Sequence, residues 1–573
     1  MNRTAGRSAH LLDRHGRKLA LSAGLLLYLL LSTYQLGLPG IHYDEAGEAG
    51  VNAMELLAGT PVSAFRDVTF PLFGLQLPVM VQDYIGALNV YLAMPLLALT
   101  GVGVPNLRFL GILTGLAALL LLERAVSEWV ASFAGGRKAF AEGPARSGAP
   151  ISLAGLITLF LLAASPSFIF WSRQGIFVTN LMLPLVFWSL WQGVRWLRTG
   201  RTNAFVQAAL GAGLALYAKL LAIWILAPFF LLVIWWWFAH RRKDGVYTPP
   251  LSPGVIFGGA IAFLLPLLPF IYFNLQSGGT VDGVLGNLGR SYYGVDNRDV
   301  LTNLSLRWGQ LLQSLRGDQF WYLGGPYGNL LAPFFALAFF VGAAFRRYCM
   351  VTPPALLAVA AFVSSLVTIS DLFITHYALL QPIVMAVIGL SAAILLAPAQ
   401  EESAATADGE RPTSRFTVAA TTALLVIWVV LDLSASLRYH RALAATGGLG
   451  DHTDASYQLA YHLRYGGLGA PIALDWGLDA PVRFLSQGAV TPIEIFGYES
   501  PSAPAADFSA RLDLFLPNPD NVYLLHTADM TSFAGRREAF FAQVAERQLT
   551  PVLEETFLQR DGTPYVELWR VVP

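Results

Sequence analysis

Apolar runs of bilayer-crossing length recur along most of this chain, separated by short basic or Gly/Pro-rich turns, and the pattern becomes mixed only beyond about Ala435. About 20 apolar residues of helix cross a hydrocarbon core roughly 30 Å thick. The first run, Leu19 to about Gly37, follows five Lys/Arg against one Asp in residues 1–18, a bias that holds its start in the cytoplasm. It is longer than a signal-peptide core and lacks a cleavage pattern, so it reads as a retained span. Further spans fall at 107–122, 151–169, 176–196, 203–218, 220–238, 254–274, 330–346, 353–370, 378–397 and 416–434, making eleven.

Charge fixes the direction of each crossing. If Tyr84–Thr100 also crossed, the basic loop with Arg137, Lys138 and Arg146 would lie outside, against the positive-inside bias. That segment, with Asp83 before it and Pro95 within it, therefore reads as an interfacial helix. The basic turns at Arg195/Arg198/Arg201, His240–Lys243 and Arg346/Arg347 then all face the cytoplasm, and Trp235–Trp237 reads as an aromatic anchor. Lys219, midway through Asn203–Phe238, marks a tight outer turn between two crossings. Residues 38–105 and 275–329 are long outer loops, the second of a length that is usually functional or mobile. A polar linker, Pro398–Ser414, precedes the last span.

Past Ala435, short β-like runs (Pro471–Trp476, Thr491–Phe496, Val522–His526, Pro551–Phe557, Tyr565–Val571) alternate with helical stretches at Ala455–Tyr465, Ala480–Gln487 and Gly535–Arg547. The predicted architecture is an all-α polytopic membrane protein of about eleven transmembrane helices plus interfacial helices, carrying a C-terminal soluble α/β domain. Its divisions are a cytoplasmic stretch 1–18, a membrane domain 19–434 and an extracytoplasmic domain 435–573. The last contains no phosphate-binding glycine fingerprint.

Composition narrows the partners. Hydrophobic residues make up 55% of the chain and charged ones 13%, against roughly 25% charged in soluble globular domains. Lys+Arg and Asp+Glu balance at 37 each, so no excess charge calls for nucleic acid, and the bilayer is the obligatory partner. A single cysteine, Cys349, excludes an intramolecular disulfide framework and any thiolate metal cluster.

The candidate chemistry begins at His42-Tyr43-Asp44-Glu45-Ala46-Gly47-Glu48, three carboxylates just beyond the first span on the outer side. Acids at a membrane surface among apolar neighbours are costly unless solvated, paired or used. A structural alternative has Asp44 capping a helix from Glu45 to Leu57. Cations also fall at outer span ends, where they are normally sparse: Arg108, Arg173, Lys219, Arg290, Arg298 and His376. Each alone is accounted for by snorkelling or a solvated loop. Together with the outer acids, they match the needs of sugar transfer from a polyprenyl phosphate. Such transfer requires a base for the acceptor proton and cations for the departing phosphate, with no metal required in principle.

Over roughly residues 19–400 the chain resembles the GT-C superfamily of lipid-linked-sugar glycosyltransferases, in particular the protein O-mannosyltransferase and aminoarabinose transferase branch. The likeness rests on Tyr43-Asp44-Glu45 after the first span, Leu107-Arg108-Phe109, Ser165-Pro166 with Trp171-Ser172-Arg173, Tyr217-Ala218-Lys219, and His376-Tyr377 before a span. The resemblance implies that Asp44 is the catalytic carboxylate, with Glu45 beside it, and that Arg108, Arg173, Lys219, His376 and Tyr377 lie near the donor phosphate. It implies an inverting transferase of the cell inner membrane, with a polyprenyl-phosphate-linked sugar as donor and a glycolipid, glycan or protein hydroxyl or amine outside the cytoplasm as acceptor. Asp83 stands where relatives carry an acid or base followed by Pro-Pro; here both prolines are missing. The rival readings are an oligosaccharide ligase using a pyrophosphate-linked donor and a lipid or glycolipid transporter. Transporters place polar groups near the midplane of their spans, whereas these span interiors are nearly uncharged.

Overall fold

A computed structural model describes residues 2–134, 151–174, 179–240, 248–249, 251–397 and 414–573. Arg137, Lys138, Arg146, the basic residues 241–243 and most of the polar linker lie outside the described residues. Helices dominate the rest. Among the described residues, five helices are long and apolar enough to cross a membrane: Val104–Phe133, Leu220–Ala239, Pro253–Ser277, Ile374–Leu396 and Arg415–Thr446. A bent pair, Leu153–Ala164 with Pro166–Gln174, makes a sixth if it is one span.

Burial sorts these helices into centre and rim. Ile374–Leu396 is 78% buried and Val104–Phe133 56%, whereas Pro253–Ser277 is 6% buried and Arg415–Thr446 17%. A helix that is apolar all round yet uncovered by protein belongs against lipid. Around the centre, the helix Val104–Ala134 packs on Thr179–Thr199, which packs in turn on Thr202–Ala218. An apolar cavity of about 280 Å³ lies among Val126, Trp129, Val194, Phe229, Trp236 and Leu357, and shares no residue with the polar site described below.

Two breaks in the helices position functional groups. Ser152 caps Leu153–Ala164 by accepting the Gly155 amide at 2.9 Å. The helix stops at Ser165, whose ψ of 124° is extended as the residue before proline prefers. The following limb leaves at 66° and carries Arg173 in its last turn. The second break comes at Lys219, also extended (φ −161°, ψ 128°), between Thr202–Ala218 and the 3₁₀ turn Leu220–Ala222. Residues 332–364, read from sequence as two spans, form one helical run broken at Arg347 (φ −143°, ψ 62°).

The segments expected as outer loops carry more structure than the sequence pattern shows. Residues 69–86 form two antiparallel hairpins, β1 (Thr69–Leu72) with β2 (Leu75–Pro78) and β3 (Met80–Gln82) with β4 (Ile85–Gly86). Strands of two to four residues are too short for an alternating pattern to register. β4 lies so close to the end of Thr202–Ala218 that a Cβ at Gly86 would sit 2.3 Å from the Tyr217 carbonyl oxygen. The helix that follows, Leu88–Thr100, has 13 residues, about 20 Å at 1.5 Å each and short of a bilayer core. Residues 275–329, expected as a loop, are largely helical, including Gly279–Asn287 and Val300–Arg316.

The C-terminal part holds a five-stranded sheet in the order β6-β5-β7-β9-β8. β5 (Ile472–Ala473) runs parallel to both β6 (Ile493–Glu494) and β7 (Val522–His526), while β9 (Pro564–Val572) is antiparallel to β7 and to β8 (Thr550–Leu558). Each strand overlaps one of the five runs read from the sequence. The C-terminal part is bonded to the helix Asn52–Ala58 and to Gly37 after the first helix. Arg483 bonds Asp479 at 2.9 Å and Glu55 at 3.2 Å, and Tyr457 donates to the Gly37 carbonyl at 2.8 Å.

Candidate active site

The acidic motif folds as a short helix, Tyr43–Glu45, that runs through a wide π turn, Ala46–Val51, into the helix Asn52–Ala58. Its N-cap is His42, whose Nδ1 accepts the Asp44 amide at 3.2 Å. Asp44 is therefore not the cap, and the alternative that it serves only in that role falls away. The helix then turns the three acids into three environments.

Glu45 is 2% exposed and locked to Arg108, with Nε donating to Oε1 at 2.6 Å and Nη2 to Oε2 at 2.9 Å. Arg108 also donates to the carbonyls of Leu36 at 3.0 Å, Pro39 at 2.8 Å and Gly40 at 3.2 Å. All five guanidinium N–H groups are thus used inside the protein. Glu48 is buried and accepts a hydrogen bond from Gln82 Nε2 at 2.9 Å. Asp44 remains accessible: its side chain is 37% exposed, and the nearest basic atom is His42 Nδ1 at 3.9 Å.

Facing Asp44 and Glu48 is a buried cationic group. Lys219 is 6% exposed and makes no hydrogen bond among the described residues; its ammonium sits 5.8 Å from the centre of the Tyr84 ring. Burial pushes its pKa down, and the carboxylates of Glu48 and Asp44 oppose that shift. His376 lies within electrostatic range of Lys219 and Arg307, edge-on to Trp224 at 5.7 Å, and its buried Nδ1 has no hydrogen-bond partner among the described residues. Arg307 is fully buried, donating to the carbonyls of Ser365 at 2.9 Å and Phe373 at 3.0 Å, while its Nη2 is left without a partner among the described residues. Its guanidinium lies over Trp224 at 5.6 Å and Tyr377 at 5.4 Å. Tyr377 in turn shares a hydrogen bond with Ser365 at 3.2 Å.

The structure therefore brings together Asp44, Lys219, His376 and Tyr377 of the residues expected from sequence, and holds the others elsewhere. Glu45 and Arg108 form an internal strut, so neither is offered to a ligand. Arg173 donates to the carbonyls of Gln35 at 2.6 Å and Leu38 at 3.2 Å and meets His440 Nδ1 at 3.2 Å. It thus grips the same segment after the first helix as Arg108 does. Asp83 is paired with Arg66 through two contacts of 2.8 Å, and its carbonyl accepts the Thr280 hydroxyl. Arg290 and Arg298 stay at the surface, around the turn at Gly294. Among the described residues, no three His, Cys, Asp or Glu side chains converge as metal ligands would.

Arg307 and Glu48 escaped the sequence reading of the site. Arg307 lies in a helix of a supposed loop, and its partners are some 60 residues away, so no local spacing reveals it. Glu48 was visible as the third acid, but its burial against Gln82 was not.

In fold the chain is similar across nearly its whole length to ArnT from Cupriavidus metallidurans. The crystal structure with undecaprenyl phosphate matches at a TM-score of 0.56 and 13% identity, over 96% of this chain and 97% of that one. The apo structure matches at 0.55 and 12%, with the same coverage. The S. cerevisiae protein O-mannosyltransferase Pmt1–Pmt2 complex bound to the sugar donor aligns over 46% of this chain and 34% of that one, at 15% identity and a TM-score of 0.31. Identities this low establish the fold alone. No protein-family model and no curated protein matches the sequence.

Proposed function

We propose that this protein is an inverting glycosyltransferase that moves a sugar from a polyprenyl-phosphate donor to an acceptor outside the cytoplasm. The observation that carries the reading is the pairing of one accessible carboxylate, Asp44, with a buried group of cations that includes Lys219 and Arg307. The likeness in fold to a protein crystallised with undecaprenyl phosphate supports it. Asp44 takes the proton from the acceptor hydroxyl or amine, the freed electron pair attacks the anomeric carbon, and the carbon–oxygen bond to phosphate breaks. The phosphate leaves as an anion, and Lys219, Arg307 and His376 hold the charge it gains. A buried ammonium without a hydrogen bond is costly, and an arriving phosphate oxygen repays that cost.

The first test is consumption of donor. Purified full-length protein, given polyprenyl-phosphate sugars, is expected to release polyprenyl phosphate; no release from any of them, together with turnover of pyrophosphate-linked donors, would transfer the assignment to an oligosaccharide ligase. Lys219→Ala is expected to weaken donor binding about 10- to 150-fold, the worth of one charge-assisted hydrogen bond. Lower melting with unaltered donor affinity would make Lys219 a structural residue.

The full topology belongs to the same reading: eleven crossings, with the C-terminal sheet on the side of Asp44. Reporter fusions at Gly200 are expected to report cytoplasm, and those at Gly279 and Pro573 the outside. A cytoplasmic signal at Pro573 would remove the odd count.

A further inference from the structure

The C-terminal sheet meets the acidic motif through one particular edge. In a parallel α/β sheet, ligands bind in the crevice outside the carboxyl ends of the strands. Here the three parallel strands β6, β5 and β7 end at Glu494, Ala473 and His526, and the residues just beyond β5 and β6 include Trp476 and Tyr498. Trp476 packs against Tyr43 at 5.0 Å and His42 at 5.6 Å, the two residues immediately before Asp44. The His526 ring contacts the Trp476 carbonyl at 3.1 Å, tying the end of β7 into the same group.

A hydrogen-bond chain crosses this junction. Tyr43 and Tyr498 hydroxyls lie 2.8 Å apart, and Tyr498 donates to Glu494 Oε2 at 3.0 Å, which makes Tyr43 the donor to Tyr498. Tyr292, from the outer segment between two helices, donates to the Tyr498 carbonyl. Glu494 Oε1 is buried with no partner of its own. Burial, with Asp479 nearby, pushes the Glu494 carboxyl up to about 8, so it is chiefly neutral at pH 7 and able to donate as well as accept. Tyr498 and Tyr292 are nevertheless 45% and 41% exposed, and the neighbouring Tyr293 46%. The cluster is thus aromatic faces open to solvent, phenol hydroxyls and a neutral carboxylic acid, and burial, followed by Glu494, Asp479 and Asp44, raises the pKa of Tyr43.

We infer that the carboxyl ends of β5 and β6, through Trp476, Glu494 and Tyr498, form with Tyr43 and Tyr292 a subsite that binds an uncharged sugar unit of the acceptor beside Asp44. The chemistry selects this class. Ring faces stack on the C–H faces of a sugar, hydroxyls and a neutral acid exchange hydrogen bonds with its hydroxyls, and the nearby carboxylates repel an anionic group. The inference rests on the transferase reading, which requires an acceptor next to Asp44, and it makes that acceptor a glycan or glycolipid in place of a bare peptide hydroxyl.

A binding measurement independent of turnover tests it. Detergent-solubilised full-length protein is applied to an array of neutral oligosaccharides, anionic oligosaccharides and Ser/Thr peptides. Neutral oligosaccharides are expected to bind. Tyr498→Phe, which removes only a hydroxyl, and the isosteric Glu494→Gln are each expected to weaken that binding about 3- to 10-fold, the worth of one neutral hydrogen bond. Binding of peptides or anionic glycans only, no binding at all, or neutral-glycan binding unmoved in both variants while wild-type melting is retained, would each overturn the subsite. Parallel assay of polyprenyl-phosphate release separates the two claims: donor consumed without neutral-glycan binding ends the subsite alone, and Tyr498-dependent glycan binding without donor consumption ends the transferase reading alone.

Discussion

Asp44→Asn is expected to lower sugar transfer about 10²- to 10⁴-fold, the usual worth of a general base. Asparagine keeps the shape and hydrogen-bonding reach of aspartate but does not accept the acceptor proton. Because His42 caps the helix and Asp44 forms no buried pair, melting temperature should be unchanged, and donor affinity should hardly move. Glu45 provides the contrast on the adjacent position, since its carboxylate is spoken for by Arg108. A normal rate in purified Asp44→Asn would end the catalytic assignment, whereas an inactive protein that melts and binds donor normally would uphold it.

Arg108→Ala is expected to act on the fold and not on the donor. It leaves Glu45 as an uncompensated buried charge, a change that costs about 3–5 kcal/mol in comparable buried pairs. It also strips hydrogen bonds from the carbonyls of Leu36, Pro39 and Gly40, which set the path of the chain into Asp44. Arg108→Lys should be nearly as harmful, because an ammonium has three donors where five are in use and cannot form the two-pronged pair. Thermal melting in detergent measures both. Were Arg108 a phosphate ligand instead, Arg108→Lys would melt like wild type and bind donor more weakly, and that result would refute the strut.

The two arginines show how far a sequence reading of charge reaches. Arg108, Arg173 and Lys219 all stand out in the same way, as cations at outer span ends. Each is buried. What resolves it differs. Arg108 is satisfied by a carboxylate and carbonyls and Arg173 is held by a histidine ring and carbonyls of the same stretch, whereas the Lys219 side chain finds no hydrogen bond among the described residues. Spacing along the chain carries no information about which carbonyl oxygen points at which guanidinium.

The sequence by itself determined that the chain is a mostly helical membrane protein, because the bilayer imposes a length and a uniform polarity that show within a single run of residues. It also located the runs that hold the C-terminal strands, of which β7, β8 and β9 are five residues or longer, and it singled out Asp44 by its place after the first span. Only the tertiary structure decided the rest: that His42 and not Asp44 caps the helix, that Glu45 is consumed in a strut, that Arg307 joins Lys219 and His376, and that the ends of β5 and β6 rest on Tyr43. Each depends on contacts between residues far apart in the chain, up to 455 positions for Tyr43 and Tyr498. Such contacts are set by how helices and sheet pack against one another, and packing leaves no periodic trace in the segments it joins.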